Sequence, residues 1–231
     1  MTVQLRHLQV GERAIAYRLR EGGSPTLVFF PGYSSDMEGT KALALDAFAE
    51  RRGLSMLRFD YSGTGSSSGR FEEGTLGLWL DESLAVADQL TEAPLILIGS
   101  SMGGWLALHL AQLRPERILA VIGIAAAPDF TDWGFPDAQS AERQGIAPGF
   151  WRSGQELLLL GRDIAIDCPV RLIHGERDTE VPLDIAFRTM RALRSADVQL
   201  NVIKGGGHRL SEPHEIDAIL NTVAALLEPA T

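Results

Sequence analysis

The chain of 231 residues carries 21 Lys and Arg against 30 Asp and Glu, a formal net charge of −9, with 45% hydrophobic and 22% charged residues. This is the balance of a globule with enough chain to bury a sizeable core, and it excludes a disordered or fibrous protein. The acidic excess, with no basic block to neutralise phosphates, argues against nucleic acid as a partner.

An antiparallel hairpin opens the sequence, residues 4–10 and 14–19 alternating apolar and polar around Gly11-Glu12. The period then changes. Short apolar runs at 26–30, 54–59, 95–98, 118–124, 170–173 and 198–203 have the character of strands buried on both faces. Between them, residues 39–52, 75–90, 102–113, 183–193 and 213–227 carry apolar side chains at spacings of three and four. Pro182 and Pro213 suit first-turn positions of the last two. Strand and helix alternate, which predicts an α/β fold with a mostly parallel, doubly wound sheet behind the hairpin, in one domain over residues 1–231.

Residues 128–167 break that rhythm by inserting about 40 residues between two strands. They hold Trp133, Phe135, Phe150, Trp151 and an apolar run at 157–160. A small cap is expected here, either a lid whose four aromatic side chains line an acyl pocket or helices packed on the sheet. Arg143 and Arg152 in the same stretch are either solvated or partners for a substrate carboxylate. Cys168 before Pro169 reads as a small core residue, and a single cysteine forms no internal disulfide. The first strand begins within a few residues of Met1, leaving no room for a signal or transit segment, so a cytoplasmic location is expected. No apolar run reaches the roughly 18 residues that span a bilayer.

Chemistry concentrates at Gly99-Ser100-Ser101-Met102-Gly103, where an apolar run ends and a helical pattern begins. Strand, tight turn and helix in that order are the context of a nucleophile elbow, with Ser101 at its tip. Gly65-Ser66-Ser67-Ser68-Gly69 fits the same spacing, but a polar loop follows it, so Ser67 reads as a decoy. A serine nucleophile needs a base, and His208 in Gly205-Gly206-Gly207-His208, directly after a strand, is the better candidate beside His214, which falls in a helical first turn. His109 and His174 read as structural. For the acid that orients the imidazole, Asp178 follows the run at 170–173, and Asp129 competes from another strand end. Oxyanion donors are expected from the backbone N–H groups of Met102, after the nucleophile, and of Tyr33, in Phe30-Pro31-Gly32-Tyr33. The loop from Asp60 to Ser66 lacks the lysine of a phosphate-binding loop and reads as structural, Asp60 bonding its backbone.

These residues carry a resemblance. Pro31-Gly32-Tyr33 with Gly39-Thr40-Lys41-Ala42, Arg58-Phe59-Asp60-Tyr61-Ser62-Gly63, Thr75-Leu76-Gly77 with Trp79, and Gly99 to Trp105 resemble the α/β-hydrolase superfamily over most of the chain. Within it they resemble the mitochondrial palmitoyl-protein thioesterase and acyl-glucuronide esterase branch. The resemblance implies an α/β-hydrolase fold and a serine esterase acting on carboxylic esters or thioesters, with Ser101, Asp178 and His208 as its triad and no metal or organic cofactor. S-acyl thioesters and acyl glucuronides are the substrates it suggests. The same triad also serves acyl transfer or lyase chemistry, and a hydrolase-fold protein that only binds ligands is a third reading. Two departures stand out: Pro31 occupies the place where many hydrolases have His before Gly, and the transit peptide of the mitochondrial relative is missing, which suggests a bacterial-type relative. The partner is expected to be a small-molecule or acylated substrate.

Overall fold

In the computed structural model, which describes residues 3–92 and 94–228, the strands are β1 (Arg6–Val10), β2 (Arg13–Arg20), β3 (Gly23–Phe30), β4 (Leu54–Phe59), β5 (Leu95–Ser100), β6 (Ile118–Ile124), β7 (Val170–Gly175) and β8 (Val198–Ile203). They form one sheet in the order β1-β2-β4-β3-β5-β6-β7-β8. β2 runs antiparallel to both β1 and β4. The pairs from β4 to β8 are parallel, as strand–helix alternation predicts.

Among the described residues eight α-helices accompany them: α1 (Thr40–Arg52), α2 (Leu76–Leu90), α3 (Met102–Leu113), α4 (Phe130–Trp133), α5 (Ala138–Arg143), α6 (Pro148–Glu156), α7 (Leu183–Ala192) and α8 (Pro213–Leu227). The period of two along β3 decides which face each residue serves. Val28 and Phe30 join the core built with Trp79 of α2 and Trp105 of α3. Leu27 and Phe29 join the opposite core, with Leu45 of α1 and Ile219 and Val223 of α8. Both faces of the sheet are therefore covered, which is why the central strands read as continuous apolar runs.

β8 departs from that expectation. It is the last strand in the sheet, its burial alternates from Val198 to Asn201, and Val202 is exposed as well, so it is a half-covered edge strand. Pro213 opens α8 as predicted, whereas Pro182 stands one residue outside α7 as its N-cap. Thr75 caps α2 by accepting the Leu78 N–H at 3.1 Å, and Gly53 ends α1 in the left-handed region with its N–H on the Glu50 carbonyl.

The 128–167 segment contains α4, α5 and α6. Asp129, at φ 60° and five residues past the end of β6, precedes α4, and its buried carboxylate accepts the N–H groups of Leu159 and Leu160 at 2.8 and 2.7 Å. The Leu157 carbonyl accepts from Trp105 Nε1 and His109 Nε2 of α3 at 3.1 and 2.9 Å. The start and the end of the insertion are thus tied to each other, and its end to α3. Burial pushes the His109 imidazole below its ordinary value, against the bond to the Leu157 carbonyl, which raises it. His109 is structural, as its sequence context suggested.

Candidate active site

β5 ends at Ser100 and α3 begins at Met102, which leaves Ser101 alone to make the turn. Its backbone adopts φ 54°, ψ −121°, a region that costs a non-glycine residue about 1–3 kcal/mol. Three hydrogen bonds hold it there. The Ser101 N–H donates to the Ile124 carbonyl at 2.9 Å, and the Ser101 carbonyl accepts from Gly104 and Ala127 at 2.9 and 3.0 Å.

The flanking glycines are required by close approach. A Cβ on Gly99 would lie 2.3 Å from the Gly103 carbonyl oxygen, and one on Gly103 would lie 2.1 Å from the Phe30 carbonyl oxygen. Gly103→Ala is accordingly expected to destabilise the fold by about 2 kcal/mol or more, because the obstruction is backbone that cannot swing aside. A urea denaturation midpoint compared with wild type measures it.

Ser101 Oγ lies 3.1 Å from His208 Nε2, and His208 Nδ1 lies 2.9 Å from Asp178 Oδ2. In the tautomer with its hydrogen on Nδ1, His208 donates to Asp178 and accepts from Ser101. The Asp178 side chain is fully buried, and its Oδ1 accepts the Glu180 and Val181 N–H groups, each at 2.9 Å. Burial alone would raise this carboxyl, but the hydrogen bonds from His208, Val181 and Glu180 outweigh it and hold the group below its ordinary range. A chain of this geometry can move a proton from the serine to the imidazole and stabilise the resulting imidazolium.

The other candidates lie elsewhere. Asp129 serves the insertion, as described above. His174 is buried under the Asp178 loop, donates to the Val181 carbonyl at 2.9 Å, and stands 3.5 Å from Asp178 Oδ2. His214 is exposed in the first turn of α8. Ser67 Oγ donates to the Asp60 carbonyl at 2.7 Å and accepts the Ala16 N–H at 2.8 Å, a loop staple. The Asp60 carboxylate bonds the Met37 and Ser66 N–H groups, the loop-bonding role read from its position. Cys168 is half-buried, and burial pushes its thiol up to about 11.

Ser101 opens into a cleft of about 860 Å³. Gly32 lies against it: a Cβ there would meet Ser101 Cβ at 3.4 Å, which brings the Tyr33 backbone beside the serine. Among the described residues, no acceptor is bonded to the Tyr33 or Met102 N–H. Of the four aromatic residues singled out in the insertion, Trp133 and Phe135 line the cleft. Phe150 and Trp151 do not. Phe150 is fully buried against Tyr33, Trp79 and Phe130, and Trp151 packs on the same core, because their helix α6 turns that face towards α2 and α4. Their place in the wall is taken by Phe130, the first residue of α4, and Ile146, both of which sequence reasoning passed over. Arg143 and Arg152 are exposed outside the lining, and the cations within it are Lys41 and Arg209. Glu180 also borders the cleft, its Oε2 3.8 Å from His208 Nε2.

Sheet order, covered faces and the strained strand–turn–helix junction together define the α/β hydrolases as a class. This chain belongs to that family, the α/β-hydrolase fold, whose model matches residues 25–148 and so includes the Ser101 turn. Among characterised relatives, the chain is 38% identical to the human mitochondrial palmitoyl-protein thioesterase ABHD10, with 93% of this chain and 76% of that protein covered. The solved structure of mouse α/β-hydrolase domain-containing protein 10 superposes with a TM-score of 0.91 at 36% identity, covering 97% of this chain and 98% of that one. A protein of Agrobacterium vitis S4 gives the same TM-score at 34% identity, covering 99% and 100%. These relatives support hydrolase activity on esters or thioesters. No helix among the described residues is long and apolar enough to cross a membrane.

Proposed function

We propose that this protein hydrolyses carboxylic esters or thioesters through an acyl-enzyme on Ser101. The observation that carries the reading is the Ser101–His208–Asp178 chain of contacts at 3.1 and 2.9 Å on a strained turn. In the first step His208 Nε2 takes the Ser101 proton as Oγ attacks the carbonyl carbon, and the Tyr33 and Met102 N–H groups hold the oxyanion. Collapse breaks the bond to the leaving oxygen or sulfur, which takes the proton from His208. Water then gives a proton to His208 and attacks the acyl carbon, and the returning proton restores Ser101 as the acid departs. These side chains complete the chemistry without a cofactor or metal.

In this reading the chain is one domain whose 128–167 insertion caps the cleft. Phe130, Trp133, Phe135 and Ile146 form the apolar side that receives the acyl group. S-acylated protein or peptide thioesters and acyl glucuronides are the first substrates to test. The cytoplasmic location expected from the sequence is part of the proposal, and it contrasts with the mitochondrial naming of the relatives; cell fractionation decides it. The chemical test is intact-protein mass spectrometry after a fluorophosphonate probe, followed by product analysis with ester and thioester substrates. One phosphonyl adduct on Ser101 and release of free acid are expected, and a folded protein that takes no adduct and turns over neither ester class overturns the reading.

A further inference from the structure

Lys41 occupies a poor place for a cation. It is the second residue of α1, where the helix N-terminus already carries partial positive charge, and its side chain is partly buried. Burial pushes its ammonium below the ordinary lysine range; the Glu215 carboxylate counters this, and the nearby Arg209 guanidinium adds to the depression. An ammonium kept in such surroundings needs a compensating partner. Its Nζ donates to the main-chain carbonyl of Arg209, the residue that follows His208, and so joins positions 168 residues apart.

That bond falls where the His208 loop has few other holds. Before the histidine come three glycines, with Gly205 at φ 76°. They are tied to the end of the sheet: Gly205 N–H donates to Glu176, Gly206 N–H to the Ile203 carbonyl, and the Gly206 carbonyl accepts from Arg177. After the histidine the chain passes through Leu210 at φ 44° into α8. Lys41 grips the loop on this second side. Glu215, which accepts the Glu212 N–H at 2.9 Å, backs the same loop at Gly206.

We propose that Lys41 is a positioning residue for His208: its ammonium, bonded to the Arg209 carbonyl, ties the glycine-rich loop to α1 and holds the imidazole in line with Ser101. The inference rests on the serine-hydrolase reading above. It differs from a substrate-binding role, which the position of Lys41 in the cleft wall would also permit, because a misplaced base slows the chemical step while leaving substrate affinity alone.

The test is steady-state hydrolysis of 4-nitrophenyl butyrate, with the rate of fluorophosphonate labelling, in wild type, Lys41→Met and Lys41→Arg. Lys41→Met keeps the length and loses the donor; its kcat should fall roughly 10- to 100-fold with KM within about twofold, and labelling should slow in parallel. Lys41→Arg, which restores a cationic donor, should recover most of the loss. Should Lys41→Met not fold, Lys41→Gln, with a polar end too short for the bond, takes its place and the same kcat loss is expected. An unchanged kcat overturns the proposal, as does a raised KM with kcat intact, the mark of a substrate contact. It is equally overturned if Lys41→Arg matches the neutral variant in lost activity and lost thermal stability. Wild type inert to both reagents instead refutes the Ser101 reading beneath it.

Discussion

Ser101→Ala is expected to lower kcat for ester hydrolysis by roughly a thousandfold to a millionfold and to abolish fluorophosphonate labelling, with little change in stability. The small stability effect follows from the contacts. The turn is held by main-chain bonds to Ile124, Gly104 and Ala127, all of which survive the substitution. The alanine keeps the Cβ, so the φ of 54° costs what it cost before. Only the Oγ bond to His208 is lost. Ser67→Ala supplies the contrast. That hydroxyl both donates to the Asp60 carbonyl and accepts from Ala16, so its loss should destabilise the protein by about 1–2 kcal/mol while labelling and turnover persist. Urea denaturation and probe labelling on both variants give opposite patterns if the elbow at residue 101 is the reactive one. Labelling lost in Ser67→Ala and kept in Ser101→Ala would reverse the assignment.

The two serine motifs also mark what was legible in the sequence. Their five-residue spacing is the same, and they separate only on what precedes and follows: β5 and the small-residue start of α3 at one, a polar loop at the other. Such local order is written in sequence, so the elbow, the parallel strands and the sheet-covering helices could all be read. The choice between Asp178 and Asp129 was harder, because both leave strand ends and only tertiary contacts distinguish them. Asp129 spends both oxygens on amides 30 and 31 residues away in the insertion, whereas Asp178 keeps one for His208. The aromatic wall was half legible. Aromatic character places Phe150 and Trp133 alike in the insertion, but whether a ring meets the cleft or the core depends on how α4 and α6 pack, which periodicity in short helices does not encode. Lys41 shows the same limit, since its partner is a main-chain carbonyl 168 residues further along the chain.

Asp178→Asn is expected to lower kcat by roughly a thousandfold to ten-thousandfold while leaving the protein folded. Asp178 Oδ1 accepts the Glu180 and Val181 amides and Oδ2 accepts from His208. An asparagine keeps its oxygen on the two amides, since turning it round would leave both without an acceptor, and this puts its NH₂ where Oδ2 was. That group donates to His208 Nδ1, which moves the imidazole hydrogen to Nε2, facing Ser101. The serine then meets a donor where it needs an acceptor, and the base is absent although every atom stands in place. Asp178→Ala, by contrast, strands the amides and should lose stability as well as rate. pH separates the electrostatic part of the effect. The folded carboxyl is held below its unfolded value, so the stability it contributes is complete above about pH 4 and drains away as the pH falls through the folded value. The asparagine variant has no such group to protonate. Its stability deficit relative to wild type should therefore shrink on acidification, as read from urea midpoints on both proteins. A deficit that stays constant through the acid range would mean that the carboxylate charge contributes nothing to the fold, and that His208 is held by geometry alone.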